Sequence, residues 1–358
     1  MSQSRTDALW SRLQAAGLAT GNMPAWTQEP RTPWYVRVML AVAGLIAAAC
    51  LLGFVAAGLQ FVFESTTASI TTGGLLLLAA SILFRAVRQN DFSAMFALTV
   101  SLAGQFLVLS GLFTLFDDHP VTAWPFWWTA ALQVALVAVM PNTIHRSLSA
   151  YVGAMAFAYA SFAIGVHFIA TGVIAALVAA LWLGEARSGH RHGVAAPVAY
   201  GLTASFIQIA GESLFAHPLV SVFGVRADVD LWRWAGPTLI AAALIVTAAV
   251  LLTRAGWTPS ARRTQLALGA VLLTCVASFR APGIMAGLLV MLLGFSNGNR
   301  VLVGLAIASL AIYVSGYYYL LEVSLLHKSG VLLATGGMLL GIRWLLLRHV
   351  LPQERVDA

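Results

Sequence analysis

A bundle of α-helices threaded through a lipid bilayer is the fold class this sequence predicts, and three observations predict it. Charged residues make up 9% of the 358-residue chain and hydrophobic residues 60%, far from the roughly 25% charged content of soluble domains. From Trp34 onward, apolar runs long enough to cross a bilayer follow one another, roughly 17 to 25 residues being sufficient. The Lys and Arg residues sit singly between those runs instead of clustering on a face, so the net charge of +7 is a topology signal and not a nucleic-acid footprint.

Residues 1–32 form a polar leader without the basic start, apolar core and small-residue cleavage site of a secretory signal, so the leader is expected to stay on. Leu9, Leu13 and Ala16, with Trp10 alongside, make an apolar stripe at helical spacing that predicts a short amphipathic helix on the membrane surface. The transmembrane region, residues 33–348, holds twelve apolar runs near 37–62, 67–84, 92–116, 121–140, 147–165, 167–184, 194–215, 231–253, 264–280, 282–296, 301–321 and 325–345. The ninth and tenth, interrupted around Arg280, Pro282 and Gly283, have the length of tilted or re-entrant segments. A short tail follows at 349–358.

Cytoplasmic loops collect Lys and Arg. With the N-terminus inside and twelve crossings, sixteen of the twenty Lys and Arg residues fall on the inner side. Only Arg226, Arg233, Arg280 and Lys328 remain outside. Both termini are therefore expected in the cytoplasm.

The densest functional-group chemistry lies between Tyr317 and Arg343. Here a helix runs out through Tyr317, Tyr318 and Tyr319, turns near Glu322 to Ser324, and returns carrying His327 and Lys328. Aromatic rings favour the headgroup level. Gly337 and Gly341, four apart, permit close helix approach. Lys328 in a first turn opposes the helix dipole, so it calls for an anionic neighbour, either Glu322 or a lipid phosphate. A snorkelling anchor is the plainer role for it.

The segments YYYLLEVSLLHKSGVLLATG, PWYVRVML at 33–40 and LWSRLQAAGL at 9–18 resemble a family of bacterial multi-pass inner-membrane proteins catalogued as a domain of unknown function, the "four-four-zero-one" family. The resemblance covers nearly the whole chain. Members are described beside a second polytopic family of unknown function and a smaller protein named for a Gly-Asp-Tyr motif, which implies a shared complex. It implies no catalytic or binding residue.

Polar side chains within spans cost a few kcal/mol at mid-bilayer unless paired, so their positions are informative. Gly201, Ser205, Gln208 and Glu212 share one face of the seventh run, while Thr129 with Gln133 and Ser101 with Gln105 repeat a four-residue spacing. One reading is a polar path opening outward with Glu212 as a proton or cation site; the plainer one is interhelical hydrogen bonding, about 0.6 kcal/mol per bond. No two His share a helix at ligand spacing, so no metal site is expected, and Cys50 and Cys275 are expected as buried, inert thiols. No cofactor motif, nucleophile elbow or phosphate loop is present. The sequence thus predicts a non-enzymatic component of a membrane complex, in contact with lipid and with other polytopic proteins and not with nucleic acid. A secondary transporter built on the outward polar path is the rival, and an enzyme acting on a lipid carrier a distant third.

Overall fold

The computed structural model describes residues 10–17, 21, 65–86, 91–116, 123–185, 192–215, 234–258, 260–279 and 281–320, with single helical positions between 39 and 58 and between 326 and 344. By contact the chain divides at Ala49 and Cys50. In the first unit, α1 (residues 10–15) is the expected leader helix: Trp10 and Leu13 are half-buried and the intervening positions exposed. Its end is tied by an Ala16 N–H bond to the Arg12 carbonyl at 3.0 Å.

In the second unit the described residues form ten long helices and no strand: α2 Thr66–Ala86, α3 Asp91–Leu115, α4 Trp124–Val139, α5 Thr143–Ala163, α6 His167–Glu185, α7 His192–Phe215, α8 Ala235–Arg254, α9 Arg262–Ala277, α10 Pro282–Ser296 and α11 Arg300–Leu320. They coincide with ten of the twelve apolar runs. Four segments are long and apolar enough to cross a membrane, namely Thr66–Ala86, Ala94–Leu115, Gly193–Gly211 and Ala235–Arg254, while Trp124–Val139, Ile169–Gly184, Pro282–Ser296 and Arg300–Gly316 are shorter apolar helices. Of the first and last runs only single helical positions are described, and the turn at Glu322 to Ser324 lies outside the described residues.

Local chemistry sets the helix ends. The Asn142 side chain accepts from His145 N–H at 3.0 Å to cap α5, and Asn299 Oδ1 accepts from Val301 and Leu302 N–H at 3.1 and 3.2 Å to cap α11, the capping role that asparagine fills well. Gly298, at φ +61°, closes α10 in a left-handed turn with the Asn299 N–H on the Gly294 carbonyl at 2.9 Å, which a residue with a Cβ adopts only at a cost.

Hydrophobicity draws no helix to its neighbour when the surroundings are lipid, so close fit must do so. The α2–α3 hairpin shows how. A Cβ added at Gly73 would lie 2.7 Å from the Gly104 carbonyl oxygen, and one at Gly104 would lie 2.7 Å from the Gly73 oxygen. The two backbones are in contact. Leu77, Ala80, Phe84 and Ala97 then pack with Leu136 of α4 and with Met140 just past its end. The larger core joins α5 through α11 around Trp182, Phe206, Ile240, Met285, Leu289 and Leu302, which are at most 1% exposed. Large apolar side chains point the other way, among them Leu75, Ile82, Val134, Val246, Val276 and Ile307. Such a surface suits lipid and would aggregate in water.

Helix α7 is the hub, packing on α5, α6, α10 and α11. Tyr313 of α11 fills the space left by Gly211 of α7 and Gly283 of α10, where an added Cβ would lie 2.9 Å from its ring in each case, and its hydroxyl donates to the Ile207 carbonyl. Cys275 is buried as expected, whereas Cys50 is exposed: an apolar run in a membrane has an outward face, and burial does not follow from hydrophobicity there.

Gly73→Ala should lower unfolding stability in detergent by about 1–3 kcal/mol, the usual cost of overpacking. Gly74→Ala, where an added Cβ meets nothing within 4 Å, should be neutral or gain up to about 1 kcal/mol from helix propensity. Equal thermal midpoints for the two variants would contradict the backbone contact.

Candidate functional site

The strongest polar feature is the corner where α4, α5 and α7 meet. Proline has no N–H, so a proline within or just past a helix strands the carbonyl four residues earlier. Pro141 does this to Val137, and Pro197, inside α7, does it to Gly193. Arg146, in the first turn of α5, answers both: its Nε donates to the Val137 oxygen at 3.1 Å and its Nη1 to the Gly193 oxygen at 2.9 Å. One guanidinium thus pins three helices. The sequence reading took Arg146 for a topology signal alone; a proline four residues past each of two helical carbonyls was the available clue.

Next along α5 lie His145 and Ser149, with Ser149 Oγ 3.2 Å from His145 Nδ1. Both side chains are 0% exposed. Serine and histidine one turn apart resemble a nucleophile and base, but both side chains of this pair are fully buried.

The expected polar stripe of α7 is in large part a packing face. An added Cβ at Gly201 would collide with the Ser147 carbonyl oxygen and lie 2.9 Å from Ala150 Cβ. Ser205 is buried and bonds back to the Leu202 carbonyl at 2.9 Å. Gln208 is exposed, and its Oε1 accepts from the Tyr151 hydroxyl of α5. Glu212 falls in the last turn of α7, where the helix dipole disfavours a carboxylate; its side chain is outside the described residues. The structure therefore joins Gly201 to α5 by close packing and Gln208 to α5 by a hydrogen bond, with Ser205 buried between them.

Two further groups are buried and neutral. Gln133 of α4 is 1% exposed with neither Oε1 nor Nε2 hydrogen-bonded, and Ser101 Oγ and Gln105 Oε1 of α3 are also without a protein partner. Phe113 of α3 and Phe126 of α4 meet edge to face at 5.4 Å. About two turns back along α3 and two turns on along α4 from that contact lie Gln105 and Gln133, so the antiparallel register puts them at one level. Thr129 bonds to its own helix at Pro125. By contrast the aromatic network of α6 and α7 is satisfied: Trp182 Nε1 donates to Thr203 Oγ1 at 2.9 Å, and Asn299 Nδ2 donates to the Tyr200 hydroxyl at 2.6 Å.

Of the closing hairpin, Tyr319 is exposed, Tyr317 and Tyr318 are helical with side chains outside the described residues, and Glu322 and Lys328 lie outside them entirely. Gly337 and Gly341 are helical, with nothing among the described residues within 4 Å of an added Cβ. Among the described residues no three His, Cys, Asp or Glu come together.

Every charged residue of α2 to α11 sits in a first or last turn, namely Arg85, Asp91, Arg146, Glu185, Glu212, Arg254, Arg262, Arg263 and Arg300. An all-helical chain so built, with helices long and apolar enough to cross a bilayer, is by class a membrane protein. Residues 33–349 match the family model described as Domain of unknown function (DUF4401), and the chain belongs to that family. No curated protein and no solved structure matches it.

Arg146→Ala should cost about 1.5–3 kcal/mol of stability, the range for hydrogen bonds to a charged group. In a Pro197→Ala background the loss should shrink, because the Gly193 carbonyl then finds a donor on its own helix. A double-mutant cycle of thermal midpoints with no coupling would remove Arg146 from that role. Gln133→Leu should leave stability unchanged or higher, since it replaces an unpartnered amide by an apolar group of similar size. A marked loss would mean that the amide has a partner.

Proposed function

We propose that the chain is a bacterial inner-membrane protein of about twelve spans with both termini in the cytoplasm, and that it serves as a non-enzymatic component of a membrane complex. The observation that carries the complex reading is the filling of the α5–α7 seam. A transporter needs a continuous water-filled path to its coupling group. Along the polar stripe Gly201 is closed by Ser147 and Ala150, Ser205 is buried, and Gln208 is tied to Tyr151 at the surface. That is how a packed scaffold uses polar residues.

The orientation is supported by the helix ends. If successive helices alternate direction, Arg85, Arg146, Arg254, Arg262, Arg263 and Arg300 all fall at one end of the bundle, which the positive-inside rule assigns to the cytoplasm. The partners are other polytopic membrane proteins, and the Tyr317–Lys328 hairpin is the docking surface this reading favours, with its tyrosines at headgroup level and Glu322 and Lys328 at its tip.

Co-purification from native membranes in mild detergent should bring down polytopic partners with the wild type, and Lys328→Ala should lose most of them while expression is unchanged. A protein that purifies alone, and whose Glu212→Gln variant alters proton-dependent uptake in vesicles, would be a transporter instead.

A further inference from the structure

Three arginines stand at one end of the α8–α9 hairpin, Arg254 in the last turn of α8 and Arg262 and Arg263 in the first turn of α9. All three are exposed. The chain offers them no carboxylate nearby, because from Leu231 to Leu321 the sequence has no Asp or Glu and α9 packs chiefly on α8.

The link between the helices is tied down. Gly256, at φ +78°, turns the chain at the end of α8, and the Trp257 N–H reaches back to the Leu252 carbonyl at 3.0 Å. The Thr258 carbonyl accepts from the Ala261 N–H at 3.1 Å and from the hydroxyl of buried Thr264 at 2.8 Å. Arg263 lies over the half-buried Trp257 ring, 4.9 Å from its centroid. A guanidinium stacked in that way keeps its in-plane donors for another group.

Left to itself this arrangement is electrostatically unfavourable. The start of a helix carries partial positive charge and favours an anion, yet α9 has no acid in its first turn and no side-chain cap at Ala261. Two guanidiniums add to the charge. An anion from outside the chain relieves it.

The rest of α9 says what carries that anion. Arg262, Gln265, Gly269, Leu272, Leu273 and Val276 share one face at helical spacing, each exposed, while Thr264 and Cys275 on the opposite face are buried. The exposed face is polar in its first turn and apolar beyond, the profile of an amphiphile. From Arg262 to Leu272 is about 15 Å along the axis, the depth of one hydrocarbon leaflet. A dissolved phosphate would use only the first turn; a lipid uses the whole face. Trp257 suits the level between headgroup and chains.

We propose that this end of the α8–α9 hairpin binds an anionic phospholipid, its phosphate held by Arg254, Arg262 and Arg263 and its acyl chains laid along Leu272 and Leu273. The site depends on the chain's being a membrane protein and not on the number of spans, the orientation or the complex.

Native mass spectrometry of the delipidated full chain in mild detergent tests it. Phosphatidylglycerol should bind about tenfold or more tightly than phosphatidylcholine with the same acyl chains, and Arg262→Gln with Arg263→Gln should abolish that preference. Arg85→Gln with Arg300→Gln, at other helix ends, should keep it. Equal affinity for the two lipids, or an equal loss in the Arg85 and Arg300 variant, would reduce the effect to general charge attraction and overturn the proposal. Displacement of phosphatidylglycerol by chain-free glycerol phosphate at equal concentration would assign the arginines to a soluble phosphate and overturn it too. Hydrogen exchange of the wild type keeps the test valid if the glutamine variant fails to fold. Amides of residues 256–266 should exchange several-fold more slowly in phosphatidylglycerol bilayer discs than in phosphatidylcholine ones, and no difference there would by itself overturn the proposal.

Discussion

In surroundings without water, each backbone carbonyl needs a donor inside the protein or forfeits several kcal/mol. The corner at Arg146 depends on that constraint. Pro141 ends α4 and Pro197 sits in α7, and each leaves a carbonyl without its N–H. A single side chain with a planar set of donors answers both at once, reaching 3.1 Å to Val137 and 2.9 Å to Gly193. Lysine, with one point charge on a flexible stem, is not equivalent. The placement of α5 against α7 follows, and with it the contact of Gly201 with Ser147 that closes the seam between them.

Away from that corner the helices are held by shape. Glycines 73 and 104 bring α2 and α3 to backbone contact, and Gly211 and Gly283 make room for the Tyr313 ring between α7 and α10. Dispersion is weak per atom and falls off within an ångström of optimal distance, so such contacts reward only a close fit. Tyr313 also shows how a polar atom is tolerated in the core: its hydroxyl ends on a helix carbonyl and asks nothing of the solvent. Gln133 shows the opposite case, a buried amide with no protein partner.

The helices were legible because composition alone separates apolar runs from their polar punctuation, and α2 to α11 match the predicted runs to within about four residues at each end. The start of α5 at Thr143, and not at Ser147, depended on the Asn142 cap, a signal that hydropathy overlooks. The stripe on α7 was legible as a face but not as a packing face, since Gly201 and Ser205 look alike in sequence whether they line a path or admit a neighbouring helix. Arg146 and Tyr313 were missed for one reason: each acts on carbonyls of another helix, and a carbonyl has no identity in a sequence. Cys50 was misjudged because an apolar environment in a membrane includes the outside of the protein.

The distribution of charge limits where chemistry can reside. All charged residues of α2 to α11 stand in terminal turns, and the buried polar groups of the described core, Gln105, Gln133, Ser101, His145 and Thr247 among them, are uncharged or sealed. A chain that moved ions through this bundle would need an ionisable group near mid-span and a space beside it, yet Glu212 stands at the end of α7, one turn beyond the exposed Gln208. Among the described helices, charge is therefore confined to the ends.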